Sequence, residues 1–203
     1  ISKPGDPQDF QMIYLVDMEH PGLVVFPTHR LVRDLPNFDK EAVLEKCSEF
    51  FYIDEKEGTD TMEEDLKKLY DEDKKAFGFY CGKGEWFLLT LKNIDIMSQM
   101  LPNVSKASQS LDVSVLHTLI LEKIFGIDKE NMAKQINLTY TKFFTEAIDG
   151  VDKGEFQCSF VLNPTRVTEI RDVAAAGEKM PQKSTYFYPK MITGMVMNNL
   201  GVD

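Results

Sequence analysis

The chain has 203 residues, with 23 lysines and arginines against 33 aspartates and glutamates, which gives a formal net charge of −10. Hydrophobic residues make up 43% and charged residues 28%, a composition that excludes a disordered chain, and no stretch is apolar enough for a membrane span. The pI near 4.9 argues against a nucleic-acid partner, because affinity for phosphate backbones comes from clustered basic residues.

Strands and one helix are predicted for the first quarter of the chain. Two apolar runs, 11–18 and 23–26, have the length and the flanking turn residues that are typical of strands, and Pro27 ends or kinks the second before residues 28–32. Asp39 has the side chain of a helix N-cap, and apolar residues recur after it at helical spacing. The sequence therefore predicts a helix that begins after Asp39 and ends near Phe50.

An acidic stretch and a hairpin follow. Residues 54–75 hold ten acidic groups and five lysines and predict an exposed amphipathic helix, for which we favour a solvated face over a docking surface for a basic partner. The apolar segments 76–81 and 85–91 flank a Gly-Lys-Gly turn, a pattern that indicates a β-hairpin. We expect one compact unit over 1–203, with a sub-boundary in the predicted loop at 102–110.

The second half predicts alternating helices and strands. Helices are expected at 111–125 and 128–134. A β-α-β-α run follows, with its elements at 135–141, 143–151, 156–162 and 163–177. This order predicts an α+β fold, a mixed β-sheet with packed helices in which part of the sheet is parallel. A last strand is predicted at 184–188 and a terminal apolar helix at 191–200.

The three cysteines form neither a disulfide framework nor a metal motif. Cys47, Cys81 and Cys158 are odd in number and far apart in the sequence. We interpret them as small buried apolar residues, and this usage predicts a reducing, cytoplasmic location. The histidines and carboxylates show no short ligand spacing, so no metal site is predicted.

The densest group of reactive side chains lies between residues 180 and 190. Lys183, Ser184 and Thr185 offer an ammonium group and two hydroxyls for a phosphate or a carboxylate, and Tyr186 follows them on the same extended stretch. The alternative is an edge strand whose tyrosines cover the core and whose hydroxyls face water. Composition does not separate these two interpretations.

Three other residues have side chains that are suited to chemistry. His29 is a candidate general acid or base, and Arg30 beside it is suited to bind an anion. A surface turn with a salt-bridged Arg30 is the alternative that we favour for this pair. His117 lies among apolar residues on one helical face, a pattern that predicts a core histidine bonded to a backbone carbonyl.

Four motifs resemble the C-terminal portion of a widespread prokaryotic family of conserved proteins with no established function. They are Pro27–Val32, Leu111–His117, Leu162–Thr165 and Gly177–Lys190. Members of that family are longer and carry an upstream Asp-Gly-His-His-Arg-Tyr motif, which is similar to the Asp-Gly-His motif of ParB/sulfiredoxin-like proteins such as the free-serine kinases. Because this chain lacks that motif, the resemblance implies that it is the C-terminal part of a longer protein.

The same resemblance implies phosphotransfer, with a nucleotide and magnesium as cofactors of the full-length protein. This chain would then be the supporting half of a nucleotide- or phosphate-handling enzyme, its partners being a small-molecule ligand and its own N-terminal region. The alternative is a structural or oligomerisation module without catalysis, including a homo-oligomer. That alternative rests on the aromatic strand near 186 and on Met191, Met195 and Met197.

Overall fold

The computed structural model describes residues 3, 5, 6, 9, 10, 13–190, 192, 194 and 197. The chain divides into two compact units. One comprises Ile1–Val24 and Phe187–Asp203, and the other comprises Val25–Tyr186. The range 102–110 lies inside the second of these, which we call the larger unit and which contains the candidate site.

Eight strands form two sheets in the described part of the chain: β1 (Val24–Phe26), β2 (His29–Val32), β3 (Phe51–Glu57), β4 (Ala76–Tyr80), β5 (Glu85–Leu91), β6 (Leu138–Thr141), β7 (Cys158–Val161) and β8 (Tyr186–Tyr188). β1 pairs with β8 in a sheet of two strands. The other six form one sheet in the order β3-β5-β4-β7-β2-β6, and every neighbouring pair in it is antiparallel.

The predicted β-α-β-α run is present, but the parallel pairing expected from it is wrong. β6 and β7 run in the same direction, yet β2 lies between them and pairs antiparallel with both. Val32 of β2 is opposite Leu138 on one side and opposite Cys158 on the other. A strand from the start of the larger unit therefore separates two strands that are close in sequence, and nothing local in the sequence encodes that insertion.

The described residues contain eight α-helices: α1 (Lys40–Cys47), α2 (Met62–Asp71), α3 (Ile96–Met100), α4 (Lys106–Gln109), α5 (Asp112–Val115), α6 (Lys129–Lys134), α7 (Phe144–Asp152) and α8 (Val167–Ala175). A π-helical segment, Leu116–Glu122, continues α5. None of these helices has the length and apolar character needed to cross a membrane.

Several local predictions are confirmed. The Asp39 carboxylate accepts a hydrogen bond from the Ala42 backbone N–H at 2.9 Å, as expected of an N-cap. β4 and β5 form the predicted hairpin, in which Lys83 has a left-handed φ of 58° between two glycines. These elements were predictable because their signals lie within a few residues of one another.

Other local predictions are wrong. Residues 54–57 belong to edge strand β3 rather than to a helix, because β5 supplies the hydrogen bonds along one side of this polar segment. The expected loop at 102–110 contains the short helix α4, whose N-cap Ser105 accepts a hydrogen bond from the Ser108 N–H. Residues 13–18 form no strand, and the predicted helix at 191–200 lies mostly outside the described residues.

The six-stranded sheet has an apolar core on each face. Along β4, Phe77 and Phe79 belong to one core, whereas Ala76 and Tyr80 belong to the other, as the alternation of a strand requires. Helices α1, α5 and α6, together with the π-helical segment, supply residues to the first core. Helices α2 and α7 cover the second.

Candidate functional site

A cavity of about 570 Å³ lies between several segments of the larger unit. Residues from the loop after α3, from α4, from the helix that runs through α5 into its π-helical continuation, from α6 and from the stretch after α8 line it. Its apolar wall consists of Leu101, Val104, Met132 and Pro181. Its polar lining includes Ser114, His117, Thr118, Lys129, Lys179 and Gln182. This size and mixed lining are typical of small-molecule sites.

Ser114, His117 and Thr118 present three polar side chains along one side of the cavity. Residues three and four apart lie on the same face of a helix, which explains why these three share one wall. His117 and Thr118 lie in the π-helical segment, where the Lys123 N–H donates to the Thr118 carbonyl at 3.2 Å. Segments of this kind are frequent at functional sites.

Arg30 lies directly behind this wall, fully buried on β2, which is next to the edge strand β6 of the sheet. One of its terminal nitrogens donates to the Thr28 carbonyl, and the other donates to the Lys183 carbonyl at 3.0 Å. The latter nitrogen also lies 3.2 Å from His117 Nε2. Arg30 Nε has no hydrogen-bond partner among the described residues. The guanidinium therefore links β2, the π-helical segment and the segment before β8.

Burial and the neighbouring Arg30 together determine the protonation of His117. Burial, together with the positive charge of Arg30, lowers the pKa of His117 to about 3. His117 is therefore neutral at physiological pH and offers one donor and one acceptor nitrogen. The sequence predicted a core histidine bonded to a carbonyl, whereas this histidine contacts an arginine and lines a cavity.

His29 lies next to Arg30 on β2, so the two side chains point to opposite faces of the sheet. Its Nδ1 accepts a hydrogen bond from the Leu162 N–H at 3.2 Å. Only 2% of His29 is exposed, so the favoured alternative of a surface turn is wrong. His29 does not line the cavity described above, and its catalytic role stays a prediction.

The predicted phosphate-binding residues 183–186 differ in their exposure and in their contacts. Lys183 has a left-handed φ of 55°, and its backbone carbonyl contacts Arg30 while its side chain is exposed. Ser184 is buried, and its hydroxyl has no partner among the described residues. Thr185 and Tyr186 are half-buried, and the Tyr186 ring lies 4.3 Å from the Lys142 ammonium. Arg30 thus contacts the backbone of this turn, and the binding of a phosphate by these residues stays a prediction.

Glu178 joins two walls of the cavity and was not predicted. Its carboxylate accepts hydrogen bonds from the Ser105 N–H and hydroxyl, both at 2.7 Å, and from the Ser108 hydroxyl. Donation from these two serines lowers the pKa of Glu178, which therefore stays ionised. The only sequence signal for it is its place in the motif Gly177–Lys190.

An ion triad lies elsewhere in the larger unit. The Lys75 ammonium lies 3.1 Å from Asp112 and 3.0 Å from Glu169, and all three side chains are less than one fifth exposed. It joins the start of β4 to the first turns of α5 and α8. Burial raises the pKa of Asp112 to about 6, although Lys75 opposes that increase.

The buried His29 predicts a loss of stability in acid. Burial and Arg30 lower the pKa of His29 from 6.5 to about 4. As the pH falls below about 6.5, the unfolded chain binds a proton that the folded chain binds only near pH 4, so the free energy of unfolding decreases. From pH 7 to pH 4 we expect this group to cost about 3 kcal/mol.

His29→Asn removes the titrating group and keeps an acceptor near the position of Nδ1. Urea unfolding at pH 7, 6, 5 and 4 should show a smaller acid-induced loss of unfolding free energy in the variant, by about 3 kcal/mol. Parallel pH curves for the two proteins would show that His29 is protonated at its ordinary pKa in the folded state.

Comparison with solved structures gives similarity at low sequence identity. A conserved hypothetical protein from Pyrococcus furiosus has a TM-score of 0.46 and 18% identity, over 85% of this chain and 59% of that one. A free serine kinase in complex with AMP has a TM-score of 0.48 and 15% identity, over 85% and 56%. A variant of free serine kinase in complex with ADP has a TM-score of 0.47 and 14% identity, over 86% and 57%.

This chain therefore spans less than three fifths of the length of these three structures. No curated protein matches it. The model of the family described as "Protein of unknown function (DUF1015)" matches residues 2–114, and this match confirms the resemblance to a conserved family of unknown function. Because the matched range is more than half of the 203 residues, the chain belongs to the DUF1015 family.

Proposed function

We propose that this chain is the supporting half of a nucleotide- or phosphate-handling enzyme and that its cavity binds a phosphate-bearing small molecule. The observation that carries the proposal is the cavity of about 570 Å³, with an apolar wall on one side and polar groups on the other. A nucleoside base is suited to the apolar wall beside Leu101, Val104 and Met132. Lys129 and Lys179 supply positive charge for phosphate oxygens.

The charges of the cavity lining support an anionic ligand. Lys129 and Lys179 form no ion pair among the described residues, so their charges are available to a ligand. Arg30 Nε and the Ser184 hydroxyl are further donors without partners among the described residues, and both atoms are buried. The two carboxylates of the lining differ, because Glu178 is already bound by two serines whereas Glu122 is not. Glu122 would be the carboxylate of the lining that remains for magnesium bound to the phosphates.

The test is ligand binding by the chain as it stands. ATP, ADP, AMP and inorganic phosphate are added with and without magnesium, and the midpoint of thermal unfolding is measured. A ligand at about 100 times its dissociation constant adds about 2.7 kcal/mol and should raise the midpoint by about 5–10 °C. No shift with any of the four ligands contradicts the proposal.

Two lysines of the same helix provide matched variants. Lys129 lines the cavity, whereas Lys134 lies at the other end of α6 and pairs with Glu130 at 2.6 Å. Lys129→Ala should weaken binding of the nucleotide about tenfold, which corresponds to about 1.4 kcal/mol. Lys134→Ala should leave the affinity unchanged within about twofold. Equal losses in both variants would indicate unspecific attraction by surface charge.

The alternative, an oligomerisation module, is favoured by a different observation in the other unit. Phe10, Ile13, Tyr14 and Leu15 are each more than 60% exposed. Exposed apolar side chains of this size are typical of surfaces that another protein covers. Light scattering at increasing concentration tests this alternative, and a constant monomer mass would contradict the homo-oligomer.

A further inference from the structure

The contact between Arg30 and His117 limits which ligand atoms the cavity can bind, in addition to the limits that its charged side chains set. The two residues are 87 positions apart and meet at 3.2 Å, with one guanidinium nitrogen facing His117 Nε2. The same guanidinium nitrogen is held by the Lys183 carbonyl at 3.0 Å, and its partner nitrogen by the Thr28 carbonyl. The arginine is therefore fixed in place, and it approaches the imidazole from the buried side.

A guanidinium group has five N–H donors and no acceptor. A hydrogen bond between Arg30 and His117 consequently requires a lone pair on Nε2, and the single proton of the neutral ring must then lie on Nδ1. An N–H on Nε2 would instead point at an N–H of Arg30, and protonation of both ring nitrogens would place two positive charges next to each other in a buried environment, which is unfavourable. The geometry thus selects one of the two neutral tautomers of His117.

The other nitrogen of the ring is available. His117 lines the cavity and is partly exposed, and its Nδ1 has no hydrogen-bond partner among the described residues. The charged groups that share the cavity with it are Glu122, Lys129, Glu178 and Lys179. Because Nε2 faces Arg30, Nδ1–H is the ring donor that remains for a ligand.

We propose that Arg30 is a positioning residue that fixes His117 with its proton on Nδ1, so that His117 donates a hydrogen bond to an acceptor atom of the ligand. This inference rests on the proposed function, because it names the group that the cavity of a phosphate-handling protein recognises. The acceptor is a phosphate oxygen or an unprotonated nitrogen or carbonyl of the base. A cationic or donor-only group is excluded from this position.

The tautomer is measurable without a ligand. In protein labelled with 15N-histidine, the couplings between ring nitrogens and ring protons distinguish Nδ1–H from Nε2–H, and the His117 signals are assigned from their loss in His117→Asn. We expect the Nδ1–H pattern and no titration of His117 from pH 8 to pH 5. An Nε2–H pattern, or titration near pH 6.5, would overturn the inference even if nucleotides bind.

Arg30→Met tests the positioning role. Without the guanidinium, the tautomer is no longer fixed, and His117 should show mixed Nδ1–H and Nε2–H signals and titrate at a higher pH than in the wild type. Arg30→Lys provides a second variant that keeps the charge but shortens the side chain. A pure Nδ1–H pattern in both variants would show that Arg30 does not determine the tautomer.

Binding measurements distinguish a failure of the proposed hydrogen bond from His117 to the ligand from a failure of the proposed function. His117→Asn keeps an N–H donor near the position of Nδ1 and should bind AMP within about threefold of the wild type, whereas His117→Phe should bind it about tenfold more weakly. Adenosine distinguishes a contact with the phosphate from a contact with the base. A phosphate contact predicts that His117→Phe binds adenosine as well as the wild type does, whereas a base contact predicts that its affinities for adenosine and AMP fall equally. If the wild type binds AMP and His117→Phe binds it equally well, the inference fails and the proposed function stands.

Discussion

Replacing Phe160 by alanine is expected to lower the free energy of unfolding by about 3–5 kcal/mol. Phe160 is fully buried on β7, in a central position of the six-stranded sheet. Its ring stacks on Phe79 with centroids 5.0 Å apart and lies 5.8 Å from the ring of Phe125. Removal of the ring leaves a cavity on this face of the sheet beside Phe79 and Phe125, and the hydrogen bonds of β7 to β2 and β4 keep the strand from moving to fill it.

Phe160 also lies beside Arg30, a residue of the candidate site. Phe160 is directly opposite Arg30 in the pairing of β7 with β2, so the two side chains lie on the same face of the sheet. Urea unfolding gives the stability change, and Phe143→Ala is the control, since 52% of Phe143 is exposed and its removal should cost less than about 1 kcal/mol. A loss below about 1 kcal/mol for Phe160→Ala would contradict the central packing role.

Replacing Lys75 by methionine is expected to destabilise the protein by about 3 kcal/mol at pH 8, by an amount that decreases as the pH falls. Removal of the ammonium leaves the carboxylates of Asp112 and Glu169 close to each other, with side chains only 14% and 19% exposed. An uncompensated charge in such a position is costly. Methionine keeps most of the volume of the lysine stem, so the loss of charge dominates the effect.

The pH dependence follows from the sign of the pKa shift. Burial raises the pKa of Asp112 to about 6, and Lys75 opposes this increase, so removal of Lys75 raises the pKa further. A carboxyl group whose pKa is higher in the folded state destabilises that state above this pKa, and the destabilisation disappears as the group protonates. The difference in unfolding free energy between wild type and variant should therefore narrow from pH 8 to pH 5.

Urea unfolding at pH 8, 7, 6 and 5 measures this difference. Lys75→Met combined with Asp112→Asn removes one of the two charges that the single variant leaves, and should recover part of the stability lost at pH 8. Lys67→Met is the control, because Lys67 forms an exposed pair with Asp71 at 2.7 Å whose loss costs less than about 1 kcal/mol. A difference that stays constant or grows towards pH 5 would contradict the assignment of Asp112 as the titrating group.

The sequence by itself determined the local elements of this protein. The cap at Asp39, the hairpin of β4 and β5, and helix α7 depend on residues within one or two turns of each other, and all three are present. The α+β class followed from their order along the chain. The motif Gly177–Lys190 also indicated the segment that contributes Glu178, Lys179, Pro181 and Gln182 to the cavity.

Only the tertiary structure decided what these elements build together. Arg30 meets His117 across 87 residues of sequence and the Lys183 carbonyl across 153. Contacts between residues so far apart leave no periodicity or spacing in a single sequence. The contact between the Arg30 and His117 side chains could therefore not be predicted. The position of β2 between β6 and β7 is of the same kind, since hydrogen bonds between backbones do not depend on which residues form them. With β2 in that position, Arg30 is buried and reaches His117, whose pKa is lowered by burial and further by the charge of Arg30.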